Sequence, residues 1–366
     1  MKTIIDVILP NLAIGGAEKV MLLLAEQFKS NNYEVRFVVS RLIEGGFQEQ
    51  VEKDYELINL NAKKVRYFPF ALKSKYKTIQ KPDIVIVSLW PLTFLTALIL
   101  KFTNKSVKVI CVEHGSLQYQ TRNKGKIYQF FLKWSLKLTL KYCDKLICVS
   151  EGLKYEIQQI TNYKGENLVS IPNPIELDST ETDCGVSNGL ESKLKGHVFL
   201  FVGKLKKVKN IPLLLKAFKL VSEKMDATLI VLGDGPESNG FKKLAESLGI
   251  KDQVHFMGFK TNCKPYYQIA DTFVLSSDSE GFGNVIVEAL GEGCNVVSTN
   301  CPYGPKEILD NGTYGYLSEV NNEEDLAVNM LKSVDNPFSK QLLKERALSY
   351  LPSSISQHYL EMFNSI

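Results

Sequence analysis

From Thr3 onward the chain alternates short β-branched and aliphatic runs with longer stretches whose apolar positions recur every three to four residues. That pattern predicts strands and amphipathic helices in a mostly parallel, helix-covered sheet. TIIDVILP, EVRFVVS, DIVIVSL, VKVICVE and DKLICVS read as strands of the first half, with LVSIP closing the series. IPNPIELD interrupts with two prolines, the polar stretch TETDCGVSNGLESKLKG follows, and alternation restarts in HVFLFVG, ATLIVLGDG, VHFMG, DTFVLSS and CNVVST. The expected architecture is α/β, with two Rossmann-like domains, 1–174 and 175–366, hinged near 172–180. Helices fill the tail from about residue 323, and the last, SISQHYLEMF, has the option of packing back on the first domain. Open sheets of this kind bind ligands beyond the carboxyl ends of their strands, so the cleft between the domains is the expected site.

One run tests the strand and helix assignment. DIVIVSLWPLTFLTALILK holds 17 residues without a charge between Asp83 and Lys101, just under the ~18 of a membrane-spanning helix. Pro91 divides it into a β-rich half and a helical half, which predicts a buried strand followed by a helix. TIIDVILP carries Asp6 and is too short for the apolar core of a secretory signal, so a cytoplasmic chain is expected. Seven cysteines, Cys111, Cys143, Cys148, Cys184, Cys263, Cys294 and Cys301, contain no C-x-x-C pair and sit mostly in apolar runs. Free thiols are expected, not disulfides or a zinc site.

Charge separates the two halves. Residues 1–173 carry 25 Lys and Arg against 15 Asp and Glu, a net of +10, whereas residues 174–366 carry 19 against 25, a net of −6. Much of the basic excess lies in KKVRYFPFALKSKYKTIQK and RNKGKIYQFFLKWSLKLTLKYCDK. In the latter, Lys133, Lys137, Lys141 and Lys145 recur at four-residue spacing along one predicted helical face, opposite Phe130, Phe131, Trp134 and Leu138. Such a helix suits an anionic membrane surface, or simply turns solvated lysines outward over a core-facing apolar stripe. No nucleic-acid-binding motif accompanies the basic stretches, so no nucleic-acid partner is expected.

Four stretches carry candidate chemistry. Gly15 and Gly16 precede an amphipathic helix in NLAIGGAEKVMLLLAEQF, where backbone N–H groups face an approaching anion. FLFVGKLKKVKN ends a strand at Gly203 and presents Lys204, Lys206, Lys207 and Lys209 before the next helix, a place where a diphosphate would be neutralised. IVLGDGPE ends its strand at Gly233 and Gly235, so backbone approach to a ligand is expected there too. SDSEGFGNVIVEALGEG sets Glu280 in a glycine-bracketed loop and Glu288 about one turn inside the following helix. A carboxylate at Glu288 accepts hydrogen bonds only and suits vicinal ribose hydroxyls. Neither G-x-G-x-x-G nor G-x-x-x-x-G-K-[ST] is present, which weighs against dehydrogenases and P-loop enzymes. DSE at 278–280 has only a superficial likeness to a metal-binding D-x-D, and no metal is expected.

Taken in order, GGAE, EHG, IPNP, VGKLKKVKN, LGDGPE, V-x-F-x-G, SEGFGNVIVEAL and CPYGPKEIL resemble the retaining GT-B glycosyltransferases of glycosyltransferase family 4. The resemblance spans residues 5 to about 320 and is nearest to bacterial enzymes that extend lipid-linked oligosaccharides. It implies a GT-B fold, two Rossmann-like domains facing across a cleft, and retaining transfer of a hexose or N-acetylhexosamine without a metal. The donor implied is a nucleotide sugar, UDP-linked, and the acceptor a glycan, lipid-linked, used at the inner face of the cell membrane. By the same resemblance Lys204 and Lys209 would bind the donor diphosphate, Glu288 the ribose and Glu280 hydroxyls of the donor sugar. Gly281, Phe282 and Gly283 would offer backbone amides, Gly16 would lie near the diphosphate, and His114 in EHG would meet the transferred sugar. The family usually has arginine where Lys204 stands, so a bidentate phosphate fork is replaced by a point charge. A sugar-nucleotide epimerase or a phosphorylase of the same fold, and a non-catalytic sugar-nucleotide-binding subunit, are the rival readings. The intact Glu280, Glu288, Lys209 and His114 count against the latter.

Overall fold

A computed structural model describes residues 2–177 and 194–366. The chain divides into two compact units, Met1–Ile175 with Leu351–Ile366, and Glu176–Tyr350. Part of the predicted hinge and Cys184 lie outside the described residues.

The N-terminal unit is built on a seven-stranded sheet of β1 (Ile4–Leu9), β2 (Glu34–Val39), β3 (Glu56–Asn59), β4 (Ile84–Ser88), β5 (Lys108–Glu113), β6 (Lys145–Cys148) and β7 (Leu168–Ser170). Their spatial order is β3-β2-β1-β4-β5-β6-β7, and all pairings are parallel. Both faces of such a sheet are covered, so β1 and β4 are buried along their whole length. The uncharged 17-residue run is β4 followed by the helix Leu92–Thr103, as its proline predicts. Among the described residues no helix is long and apolar enough to cross a membrane. The terminal helix Pro352–Ser365 belongs to this unit and packs on helix Gly16–Ser30, with the Phe28 ring centroid 5.2 Å from Phe363 and 5.9 Å from Tyr359.

A buried polar cluster runs through the first sheet. Asp6 and Arg36 are register partners on β1 and β2, and Arg36 Nε donates to Asp6 Oδ1 at 2.7 Å. Tyr76 donates its hydroxyl to the other carboxylate oxygen at 2.7 Å, and Arg36 Nη2 reaches the carbonyl of Gln80. Asp6, Arg36 and Tyr76 are all buried.

The C-terminal unit repeats the design in a six-stranded parallel sheet of β8 (His197–Val202), β9 (Ala227–Leu232), β10 (Val254–Gly258), β11 (Thr272–Leu275), β12 (Asn295–Thr299) and β13 (Tyr316–Ser318). Its order is β10-β9-β8-β11-β12-β13. The strand readings of the sequence are all present, while β3 and β13 escape them. Both are short edge strands with half-exposed residues, and so lack the continuous apolar run of a central parallel strand.

The basic amphipathic helix departs from expectation in two ways. It runs from Lys126 to Tyr142, and Lys145 is the first residue of β6, so three of the four evenly spaced lysines share the helix. Its buried face is Leu132, Ser135, Leu136, Thr139 and Leu140. Phe130, Phe131 and Trp134, expected toward the core if the helix were an ordinary one, are exposed. None of the six described cysteines forms a disulfide, and all but Cys263 are buried.

Candidate active site

In the second sheet β8 and β11 are neighbours although two strands separate them in sequence. The order reverses at this point, and the loops leaving the two carboxyl ends open side by side. The first loop, Gly203–Asn210, carries the lysines, and the second, Ser276–Gly283, carries Glu280. They are joined by a charged contact: Lys209 Nζ lies 2.6 Å from Glu280 Oε1, with the side chains 18% and 12% exposed. Ser277 Oγ donates to the same oxygen at 2.6 Å.

The surrounding bonds hold the two loops in register. Ser276 Oγ donates to the Lys209 carbonyl at 2.8 Å, and the Asp278 N–H to the Val208 carbonyl at 2.8 Å. Asn210, in the left-handed region at φ 45°, donates from Nδ2 to Asp278 Oδ1 at 2.8 Å while its Oδ1 caps helix Ile211–Ser222. A charge-assisted pair this little exposed is stronger than its surface equivalent. An anion arriving at Lys209 therefore meets an ion pair, not a lone cation, and competes with Glu280 for the ammonium. Lys204, at the exposed start of the loop, stands outside the pair.

Gly233 serves a different purpose from the one its position suggests. A Cβ on it would come within 1.9 Å of the Gly203 carbonyl oxygen, and its φ is 134°. Close packing of two adjacent loops, more than approach of a ligand, requires glycine here.

Helix Asn284–Glu292 begins at Gly283, whose φ of 104° turns the chain and which supplies no side-chain cap. Phe282 is buried and stacks edge-on against Tyr350 at 5.5 Å, so only its backbone faces the loop. Glu288 is half-buried one turn into the helix, and Tyr267 donates its hydroxyl to Glu288 Oε2 at 3.0 Å. Burial, and after it the Glu288 charge, push the Tyr267 phenol well above its usual range, so it stays a donor. This bond fixes one carboxylate oxygen and leaves the other to accept. Tyr267→Phe removes only the hydroxyl, and donor affinity should fall by about 3–10-fold, the worth of one hydrogen bond, with turnover nearly unchanged. In a Glu288→Gln background the same change should cost little, and calorimetry finding an equal loss there would remove Tyr267 from the site.

The N-terminal unit holds its candidate groups at the ends of β1 and β5. His114 follows β5, its Nε2 3.4 Å from Ser88 Oγ. Burial, opposed by Asn173, lowers its pKa to about 4, so the ring is neutral near pH 7. Two buried carboxylates frame this loop. Glu113 accepts from Thr93 Oγ1 at 2.7 Å and the Trp90 N–H at 3.2 Å, and burial raises its pKa to about 7. Glu156 accepts from Ser116 Oγ and from the N–H groups of Leu117 and Gln118 at 2.6, 2.9 and 3.0 Å. Gly16 opens helix Gly16–Ser30, and the Glu18 carboxylate folds back over the same helix end, near enough that a Cβ on Gly15 would meet Oε2 at 2.4 Å. The helix end that the sequence offers to an anion thus carries a carboxylate of its own. Among the described residues no group of three or more His, Cys, Asp or Glu side chains is placed to hold a metal ion.

The sequence points to Lys209, Glu280 and Glu288, and to Asp278 only within a superficial D-x-D, and does not single out Tyr267, Ser277 or Asn210. Asn210 and Ser277 lie beside or within a few residues of those it names. Tyr267 stands 21 residues from Glu288 and carries no sequence signal.

Two parallel-sheet Rossmann-like units are the architecture of the GT-B fold. Family models match both units, Glycosyltransferase Family 4 over residues 14–179 and Glycosyl transferases group 1 over residues 187–349. The chain belongs to the family 4-like GT-B glycosyltransferases. An uncharacterized glycosyltransferase of Haemophilus influenzae is 29% identical over 338 residues, 88% of each chain. The N-acetylgalactosamine-N,N'-diacetylbacillosaminyl-diphospho-undecaprenol 4-alpha-N-acetylgalactosaminyltransferase of Campylobacter jejuni is 27% identical, with 76% of this chain and 75% of that one aligned. Anabaena HepE, solved in complex with UDP and glucose, superposes with a TM-score of 0.83 at 17% identity over the whole of both chains.

Proposed function

We propose that this glycosyltransferase moves a hexose or N-acetylhexosamine from a UDP-sugar to a lipid-linked glycan, with retention of configuration and without a metal. Its place would be the inner face of the cell membrane, in assembly of a surface polysaccharide or a glycoprotein glycan. The observation that carries the reading is the Lys209–Glu280 pair at the switch point of the second sheet, beside the helix that holds Glu288. The Campylobacter relative is named for a diphospho-undecaprenol-linked acceptor, and HepE binds UDP and glucose. Both support the substrate classes.

Departure of a nucleoside diphosphate builds negative charge on its β-phosphate. Lys209 and the N–H groups at Gly281, Phe282 and Gly283 are the fixed partners for that charge, with Lys204 reaching in from the exposed loop. As the phosphate engages Lys209, Glu280 keeps the Ser277 hydroxyl and gains accepting capacity for hydroxyls of the donor sugar. Glu288, aligned by Tyr267, accepts from the ribose. On the N-terminal unit, His114 is neutral near pH 7 and so offers hydrogen bonds to a sugar without contributing charge. In the retaining step the acceptor oxygen bonds to the anomeric carbon on the face the phosphate leaves, and its proton passes to a leaving phosphate oxygen.

A screen of UDP- and GDP-sugars by nucleotide release, with lipid-linked acceptors and excess chelator, tests this reading. Acceptor-dependent UDP release and an α-linked product by NMR are expected. Donor interconversion without acceptor would make the protein an epimerase, and activity lost in chelator but restored by magnesium would overturn the metal-free mechanism.

A further inference from the structure

We infer that the face formed by helices Leu92–Thr103 and Lys126–Tyr142 docks on an anionic lipid surface by inserting aromatic side chains; this rests on the lipid-linked acceptor proposed above. Helix Lys126–Tyr142 has two apolar stripes. One is buried against the unit. On the other, Ile127, Phe130, Phe131 and Trp134 follow i, i+3, i+4, i+7 spacing and are 87%, 71%, 42% and 45% exposed. An ordinary surface helix is polar at those positions.

The exposed stripe is braced. The Trp134 ring lies 5.7 Å from Phe131 and 5.6 Å from Phe94 of the neighbouring helix, and Phe131 lies 6.2 Å from Phe94. Phe102, 67% exposed, extends the aromatic surface against Tyr142 at 5.8 Å. Phe94 is buried, so the exposed rings of Phe131 and Trp134 are braced on a core residue and on each other, and their ordering costs little on insertion.

Charge selects the occupant. Between Glu56 and Asp144 the only acidic residues are Asp83 and Glu113, against 16 Lys and Arg. Glu113 is buried, so exposed Asp83, which also accepts from the Ile4 N–H, is the one acid of this stretch that offsets the surface charge. Lys126, Lys133, Lys137 and Lys141 are exposed on the helix itself. A second copy of this face would meet like charge, whereas an anionic bilayer offers an acyl phase for the rings and headgroups for the lysines.

The intact protein should sediment with vesicles of equal parts phosphatidylglycerol and phosphatidylcholine at low salt, and be partly released as screening grows. The chain has two tryptophans, so Trp90→Phe leaves Trp134 as the sole reporter. Its emission should shift to the blue and be quenched by brominated acyl chains. Ile127→Ser with Phe130→Ser, two side chains that support little of the fold, should weaken vesicle affinity by at least about tenfold, and Lys133→Glu with Lys137→Glu should abolish the preference for phosphatidylglycerol. Absence of binding at low salt, or unchanged affinity of the Ile127 and Phe130 pair, would overturn the proposal. So would self-association that this pair abolishes, which would assign the face to a second copy. Nucleotide release with a soluble acceptor, measured without vesicles, reports the transferase reading separately.

Discussion

Replacing Lys209 with alanine is expected to lower turnover by about 10²–10³-fold, the scale seen when one preorganised partner of a developing charge is removed. Two effects combine. The leaving diphosphate loses its least exposed cation, and Glu280 keeps only Ser277 of its two partners. Because the phosphate gains charge as the bond breaks, turnover should fall more than donor affinity. The loop itself should persist, since the Lys209 carbonyl is held by Ser276 and the adjoining Asn210 by Asp278. Lys209→Ala combined with Glu280→Ala should cost less than the sum of the single losses, because each residue acts through the other. Steady-state kinetics with calorimetry on the four proteins decides the matter. Donor affinity lost in full with turnover retained would reduce Lys209 to an anchor, and strict additivity would mean that the pair has no joint role.

Arg36→Ala is expected to destabilise the N-terminal unit by about 3–5 kcal/mol, because breaking a buried ion pair strands the remaining charge. Asp6 is already raised above the ordinary carboxylate range, as burial outweighs the opposing Arg36 and Tyr76 contacts. Losing the guanidinium raises it further. The folded variant then binds a proton more tightly than the unfolded chain, so its stability falls as pH rises from the unfolded carboxyl value, near ~3.9, through the raised folded value. The penalty relative to the parent should therefore grow from acid toward neutral pH and then level off. Since the chain has two units, unfolding need not be two-state, and hydrogen exchange at β1 and β2 amides is the suitable measurement. A penalty independent of pH would show that Arg36 acts through packing alone.

Which segments become central strands is decided by local composition. A parallel strand buried on both faces needs a continuous apolar run, and such a run stands out in the sequence, as does the proline dividing β4 from the helix Leu92–Thr103. The ordered glycines, lysines and glutamates likewise marked Lys209, Glu280 and Glu288 for attention. Their mutual arrangement was not legible. Lys209 and Glu280 meet because β8 and β11 are adjacent, and Tyr267 reaches Glu288 because helix Lys264–Ile269 packs against helix Asn284–Glu292. Lys145 shows how a period outruns its element. The four-residue spacing continues past Tyr142, but Asp144 exchanges bonds with Val109 of β5, donating from its N–H and accepting at Oδ2, and the backbone leaves the helix to join the sheet. Periodicity also says which residues of helix Lys126–Tyr142 share a face, without saying which face meets the core. Tertiary packing chose the stripe of Leu132, Ser135, Leu136, Thr139 and Leu140, whose smaller side chains admit closer approach, and left the bulkier Phe130, Phe131 and Trp134 outside.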